Sequence, residues 1–191
     1  RATLDWSPMP SALQGWTQVH RESALIDLPW VAGVAGNDDS LIVETTDNGM
    51  THIHRLSLAG GDWAAAPPEL DDARVVYDPV TRKVIGSFVV RGMDVRYSFF
   101  DPKDQAIWNS VVSAFPGETV WLSSMSADHS KLILNVEGPK SGAAYFLLDT
   151  VTHHADWITD EYRGLTADDL APVTAIHYAA TDGTDILGYL T

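Results

Sequence analysis

Apolar and polar residues alternate along much of the chain with a period of two, which is typical of half-buried β-strands. Leu41 to Thr45 is an apolar, β-branched run, and Thr51 to Leu58 alternates. Asp47-Asn48-Gly49 lies between them and predicts a hairpin, because Asn-Gly readily accepts positive φ. Five further segments are predicted strands: Val84 to Val90, Val95 to Phe100, Val120 to Ser123, Leu132 to Val136 and Ala144 to Leu148.

One helix interrupts this strand pattern. Asp101 is a suitable N-cap, and Ile107, Val111 and Phe115 recur at the spacing of one helix face. Pro116-Gly117 then ends the helix. The sequence therefore predicts a single short helix inserted between strands.

Three segments repeat one plan, in which a polar turn and a hydrophobic strand are followed by a second turn and strand. These segments are Gly36 to Val43, Tyr77 to Gly86 and Ser126 to Leu134. Their spacing of about 45 residues is that of propeller blades. We predict an all-β fold: a partial β-propeller of about three to four four-stranded antiparallel blades with one inserted short helix. An unrelated β-sandwich would also have short strands, but not this recurring order.

The chain of 191 residues is strongly acidic. It contains 12 Lys and Arg against 26 Asp and Glu, which gives a net charge of −14. Such a surface repels phosphate groups, so we expect no nucleic-acid and no membrane partner. The absence of cysteine excludes disulfides, thiolate zinc sites and a cysteine nucleophile. The composition leaves the cellular compartment undetermined.

Several motifs in the second half carry a family resemblance. They are Phe99-Phe100-Asp101-Pro102, Phe115-Pro116-Gly117 and Ser126-Ala127-Asp128. This order resembles the propeller of bacterial prolyl oligopeptidase-family serine peptidases, and most closely the acylaminoacyl-peptidase or dipeptidyl-aminopeptidase-like branch. The resemblance extends over about Leu28 to Thr191.

The most specific part of the resemblance is the segment from Leu170 to Thr191. Its Asp182-Gly183 turn and its Gly188-Tyr189-Leu190 strand are similar to the family's crossing from the propeller into the α/β-hydrolase domain. Thr181 departs from the family pattern, in which arginine is common at this position. The Asp-Gly turn itself is retained.

This resemblance implies a domain organisation and a function. Residues 1–170 would form an incomplete propeller segment, and residues 171–191 a crossover hairpin that begins the α/β-hydrolase domain. The parent protein would hydrolyse short or N-acylated peptides with a Ser-Asp-His triad, while the propeller limits access to that triad. The implied partners are the C-terminal hydrolase domain and a peptide substrate. The alternative is a stand-alone propeller scaffold that binds partner proteins.

No catalytic residue is predicted within this chain. A nucleophile elbow requires Gly-x-Ser-x-Gly, and the sequence lacks it. Gly138 to Gly142 places its serine at the wrong position and is interpreted as a loop. The family's triad would lie beyond Thr191, so we expect no turnover by this chain and predict no cofactor.

Two sets of residues are candidate metal ligands. His52 and His54 lie two residues apart, a spacing that zinc sites use. We interpret them as solvent-facing, because no third ligand follows at a usable spacing. The acidic pairs are candidate calcium ligands, but we interpret them as turn residues. The pairs are Asp38-Asp39, Asp71-Asp72 and Asp168-Asp169. We therefore predict no structural metal.

Two other residue classes have alternative interpretations. Arg91 and Arg96 flank a turn at Gly92 and would either bind a peptide carboxylate or remain exposed surface charges. Four of the seven tryptophans are assigned to packing between blades rather than to a ligand surface. They are Trp63, Trp108, Trp121 and Trp157.

An incomplete propeller leaves blade faces uncovered, and this predicts self-association. We expect the open flanks to expose Leu132, Leu134, Phe146 and Leu148, and the hairpin from Val173 to Thr191 to add another bare edge. Exposed apolar patches and strand edges usually become interfaces. The simplest expected assembly is a two-fold dimer.

Overall fold

The structure is a computed structural model that describes residues 2–5, 20–24, 26–36, 38–64, 72–138, 142–165 and 167–191. In these ranges the chain is mostly β, with fourteen strands in five antiparallel sheets of two to four strands. Within the same ranges, no helix is long and apolar enough to cross a membrane. The all-β class and the inserted helix are therefore confirmed.

The chain divides into two compact units. Unit 1 comprises Arg1–Val90 and Arg96–Gln105, and unit 2 comprises Arg91–Val95 and Ala106–Thr191. The short segment Arg91–Val95 thus belongs to unit 2, although the residues on both sides of it belong to unit 1. The boundary that the sequence places between residues 170 and 171 stays a prediction.

The first eight strands form one two-stranded and two three-stranded sheets, in the orders β1-β2, β3-β4-β5 and β6-β7-β8. Their bounds, from β1 to β8, are Ala2–Asp5, Arg21–Ala24, Trp30–Val34, Ser40–Asp47, Met50–Ser57, Arg74–Tyr77, Val84–Arg91 and Asp94–Phe99. Asn48 and Gly49 join β4 to β5 with φ of 50° and 79°, so the predicted hairpin is confirmed. Arg55 of β5 also pairs with Ala64 on its other side.

The two three-stranded sheets pack together within unit 1. Ile42 and Ile53 from the first sheet form one buried cluster with Val84 and Val89 from the second. The Gly36 backbone N–H donates to the Val84 carbonyl over 3.0 Å. Leu41, Val43 and Leu56 are also buried, on the opposite face of the first sheet. The continuous apolar run in β4 therefore reflects burial of both faces of this sheet.

The remaining elements are one helix and six strands. Helix α1 spans Pro102–Ala114, and β9 to β14 span Thr119–Met125, Lys131–Gly138, Gly142–Asp149, His154–Asp160, Thr174–Ala179 and Asp185–Leu190. Strands β9 to β12 form a four-stranded sheet in the order β12-β11-β10-β9, and β13 pairs with β14. A 3-10 turn, Ala167–Asp169, precedes β13.

Helix α1 begins and packs as its sequence predicts. The Asp101 carboxylate accepts a hydrogen bond from the Lys103 backbone N–H over 2.7 Å, which confirms the N-cap. Phe115, just after the helix, meets Phe146 of β11 edge-on, with ring centroids 5.1 Å apart. Ile107 and Val111 line a cavity of about 120 Å³ together with Leu148. The helix thus covers one face of the four-stranded sheet.

The packing of α1 bears on the prediction that one apolar sheet face is exposed. Leu132, Leu134 and Leu148 are buried in the structure. Register pairs place Leu132 opposite Leu148, and Leu134 opposite Phe146. These side chains share the face on which α1 lies. The prediction that they form an open flank is wrong, because the inserted helix covers them.

Two of the three repeated segments contain the same type of turn. The turns from Ala35 to Ser40 and from Ser126 to Lys131 each close with a hydrogen bond from the first N–H to the last carbonyl, over 2.9 and 2.8 Å. Asp38 and His129, the fourth residues, have φ of 59° and 56°. The turn from Asp78 to Lys83 instead places its positive φ at Arg82, one position later. The first and third segments therefore share one turn type.

Candidate functional site

The β13–β14 hairpin is the best candidate for a functional surface. Its register runs without interruption from Thr174 opposite Leu190 to Ala179 opposite Asp185. Asp182 accepts a hydrogen bond from the Thr184 backbone N–H over 3.0 Å, and this bond lowers the pKa of the Asp182 carboxyl. Gly183 has φ of 85°. The Asp-Gly turn that the sequence predicts is therefore formed.

One face of this hairpin contacts another part of unit 2. A Cβ on Gly92 would lie 2.6 Å from the Tyr189 Oη and 3.1 Å from the Leu187 Cδ2. The same turn is fixed by Thr119, whose hydroxyl donates to the Met93 carbonyl over 2.8 Å. Gly92 has φ of 62°, so both its conformation and this close approach favour glycine.

The opposite face of the hairpin also carries exposed apolar side chains, as does the face with Leu187 and Tyr189, which are 40% and 44% exposed. Ile176, Tyr178 and Leu190 are 40%, 53% and 61% exposed. Because side chains alternate across a strand, these three lie on the face opposite Leu187 and Tyr189. Two-stranded sheets are marginal in water, and exposed apolar patches mark interaction surfaces. This face is therefore suited to bind a protein partner.

One contact between polar side chains joins the two strands of the hairpin. The His177 Nδ1 lies 2.8 Å from the Asp185 Oδ2, and both side chains are well exposed. Asp185 is the one carboxylate in β13 and β14. Strands β13 and β14 therefore carry one carboxylate between them, and the turn that joins them adds Asp182.

His52 and His54 are not brought into a metal site. His54 contacts the Thr45 hydroxyl through Nε2 over 2.7 Å and the Ala64 carbonyl through Nδ1 over 3.3 Å. Its ring stacks on Trp63, with centroids 5.4 Å apart. Burial lowers the pKa of His54. In the described part of the chain, no three His, Asp or Glu side chains are grouped to hold a metal ion.

The acidic pairs lie in turns, where several make ion pairs. The Asp38 carboxylate contacts the Lys83 ammonium over 2.5 Å, and Asp39 contacts Arg55 over 3.2 Å. Asp72 accepts a hydrogen bond from a strand N–H, and Asp168 and Asp169 lie in the 3-10 turn. Asp71 lies outside the described residues. The turn interpretation is confirmed for the described members.

The tryptophans and arginines lie in different environments. Trp108 is buried on α1, as packing requires, but Trp157 on the edge strand β12 is exposed. The assignment of Trp157 to packing is therefore wrong. Arg91 ends β7 and Arg96 lies in β8, and both residues are exposed. Their exposure agrees with the surface-charge interpretation, and the carboxylate-binding role stays a prediction.

The structure contains a second recurring turn, which the sequence patterns above do not predict. Asp78-Pro79-Val80-Thr81-Arg82 and Asp149-Thr150-Val151-Thr152-His153 share Asp, Val and Thr at matching positions. Each aspartate accepts hydrogen bonds from the backbone N–H groups two and three residues later. The shared Asp-x-Val-Thr pattern is the sequence signal that would have predicted it.

Comparisons with known proteins give a distant structural similarity. No protein-family model and no curated protein matches the sequence. Among solved structures, oligopeptidase B from Leishmania major is similar with a TM-score of 0.39 and 12% identity. The similarity covers 90% of this chain and 32% of that chain, so this chain spans about a third of its length.

Proposed function

We propose that this chain is the non-catalytic β-propeller portion of a serine peptidase that hydrolyses short or N-acylated peptides. Its sheets act as blades that narrow the route to the active site, and a C-terminal α/β-hydrolase domain supplies the Ser-Asp-His triad. A narrow route admits short peptides and excludes folded proteins on steric grounds. The hydrolase domain binds at the β13–β14 hairpin.

Two features of the sheets support this arrangement. The two three-stranded sheets pack face to face through Ile42 and Val84, as consecutive blades of a propeller do. The turn from Ala35 to Ser40 in the first sheet recurs from Ser126 to Lys131 in the four-stranded sheet. A turn that recurs between the first and second strands of two sheets is expected of a repeat architecture.

The observation that carries the proposal is the uncovered face of the hairpin. Ile176, Tyr178 and Leu190 are exposed on a two-stranded sheet, although such a sheet needs further strands or a covering layer for stability. The segment from Leu170 to Thr191 also resembles the family's crossing into the hydrolase domain. A hydrolase domain that packs against this face would cover the three side chains.

A substrate-size comparison tests the gating role. The protein is expressed from its complete reading frame and incubated with a short N-acylated chromogenic peptide and with a folded protein. We expect hydrolysis of the short peptide only. Cleavage of the folded protein at a comparable rate would contradict gating, and the absence of any hydrolysis would favour the scaffold alternative.

A matched pair of variants tests the hairpin as the docking surface. In the complete protein, Ile176→Lys places a charge on the exposed hairpin face, and we expect loss of peptide hydrolysis. Ile158→Lys is the control, because Ile158 on β12 is 45% exposed while Ile176 is 40% exposed. Equal activity of the two variants would show that the hydrolase domain binds elsewhere.

A further inference from the structure

Strand β14 has an unpaired edge. Among the described residues its strand partner is β13 alone, so one row of its backbone N–H and C=O groups lacks a neighbouring strand. The Ala180 N–H donates to the Thr184 carbonyl over 2.8 Å, which fixes the hydrogen-bonded positions of the hairpin. Because these positions alternate in an antiparallel pair, the backbone groups of Leu187 and Tyr189 face outward from β14.

The exposed strands of the C-terminal region differ in how well their edges are protected. Strand β12 has a bulge at Ile158 and carries Asp156 and Asp160. Pro172 lies just upstream of β13. Bulges, prolines and charges are the devices that block pairing between strand edges. Strand β14 has an unbroken register and carries none of these devices except Asp185 at its start.

We propose that the outer edge of β14 binds β14 of a second copy of this chain, antiparallel across a two-fold axis at Gly188. Pairing of the outward backbone groups then places Leu187 opposite the partner's Tyr189. The same register places Ile186 opposite the partner's Leu190. It joins two hairpins into a four-stranded sheet and extends the apolar face that carries Ile176.

Charge explains why a second copy binds at this edge. A net charge of −14 makes two copies repel each other across most of their surfaces. The segment from Ile186 to Thr191 has no charged side chain, and Asp185 is already paired with His177. In the proposed register the uncharged side chains from Ile186 to Leu190 pair with the same segment of the partner, and Asp185 lies at the end of the paired segment, opposite the partner's Thr191.

Substitutions at Gly188 test both the edge and its register, because this register places the two Gly188 residues directly opposite each other. A Cβ on Gly188 would lie 3.4 Å from the Ile176 Cγ1 and from the Tyr178 Cε1, an ordinary contact distance. Sedimentation velocity across a dilution series compares the wild-type chain with Gly188→Ala, Gly188→Glu and Gly188→Lys. Circular dichroism confirms that each variant is folded.

We expect the wild-type chain and Gly188→Ala to sediment at twice the 20.8 kDa chain mass. Gly188→Glu and Gly188→Lys each oppose like charges and lose the dimer, whereas an equimolar mixture of the two recovers it. Ile158→Lys on β12 leaves the dimer unchanged. A wild-type chain that remains a monomer overturns the proposal, and so does a mixture of the charged variants that does not dimerise. No peptidase substrate is used, so this outcome is separate from that of the activity assays.

Discussion

The Asp78 side chain stabilises the turn that it begins. Its carboxylate accepts hydrogen bonds from the Val80 N–H, the Thr81 N–H and the Thr81 hydroxyl over 2.9, 2.6 and 2.8 Å. Asp78 is buried, whereas Val80 and Thr81 are exposed, so the loss expected on its removal is that of the hydrogen bonds to the carboxylate. Asp149 makes the equivalent backbone contacts in the four-stranded sheet.

The first prediction concerns this aspartate. Asp78→Ala should lower the free energy of unfolding by about 2 kcal/mol, because hydrogen bonds to a charged group are lost. Thr81→Val is the matched control. It removes only the hydroxyl bond and should cost about 1 kcal/mol. Urea unfolding measures both variants, and an Asp78→Ala variant as stable as wild type would contradict the role assigned to the carboxylate.

The second prediction concerns the pH dependence of stability through His54. Burial lowers the pKa of His54 from its ordinary value of 6.5, so the folded chain binds this proton less readily than the unfolded chain. The contribution of His54 to stability is therefore present above pH 6.5 and is lost as the pH falls below it.

His54→Phe keeps a ring against Trp63 but cannot be protonated. It loses the contact with the Thr45 hydroxyl, so it should be less stable than wild type at every pH. The slope of unfolding free energy against pH, measured from about pH 5 to pH 8, should nevertheless be smaller than in wild type. An unchanged slope would show that His54 does not link folding to pH.

At the scale of elements, Gly86 fixes how closely β7 approaches its neighbour. A Cβ there would lie 2.5 Å from the Ser98 backbone oxygen and 3.0 Å from the Phe99 Cα. Both contacts are to backbone atoms of the region around β8, which cannot move aside as a flexible side chain does. The sheet β6-β7-β8 therefore requires glycine at this position.

The third prediction follows from this close approach. Gly86→Ala should destabilise the protein by about 1–3 kcal/mol, the usual cost of overpacking. Gly36→Ala is the control, because its Cβ would lie 3.6 Å from the Ile85 Cγ2. The control should remain within about 0.5 kcal/mol of wild type. Equal unfolding midpoints in urea for the two variants would contradict the assigned constraint.

The strands that the sequence predicts share one property, an apolar run or alternation. Strand β12, His154–Asp160, was missed because it is an edge strand with most of its side chains exposed, so no hydrophobic pattern marks it. Strand β3, Trp30–Val34, contains alanine and glycine, which are uncommon in strands, so the sequence does not predict it. The hairpin from Thr174 to Leu190 is expected from the family resemblance of its Asp182-Gly183 turn and its Gly188-Tyr189-Leu190 strand.

Burial of the sheet faces was harder to predict than the strands themselves. The alternation in β10 indicates that Leu132 and Leu134 share a face, but it does not identify the element that covers this face. The structure covers it with α1, through Phe115 against Phe146. For the same reason the uncovered face of the hairpin, with Ile176 and Tyr178, emerges only from the tertiary structure.

In the whole molecule, the described residues form a scaffold of β-sheets, and the sequence contains no recognisable catalytic motif. The first three-stranded sheet and the four-stranded sheet share a turn type, and the two three-stranded sheets pack together in unit 1. The chain lacks a nucleophile elbow, and the described residues include no group of potential metal ligands. Under the proposed function these 191 residues shape access to a catalytic serine that another part of the protein supplies.

Labelling of the catalytic serine tests whether that serine lies outside these 191 residues. The complete protein and the 191-residue chain are each treated with a fluorophosphonate probe, and the labelled residue is mapped by mass spectrometry. The account predicts one labelled serine in the complete protein, beyond Thr191, and no labelling of the 191-residue chain. A labelled serine between residues 1 and 191, or no labelled serine in the complete protein, would contradict it.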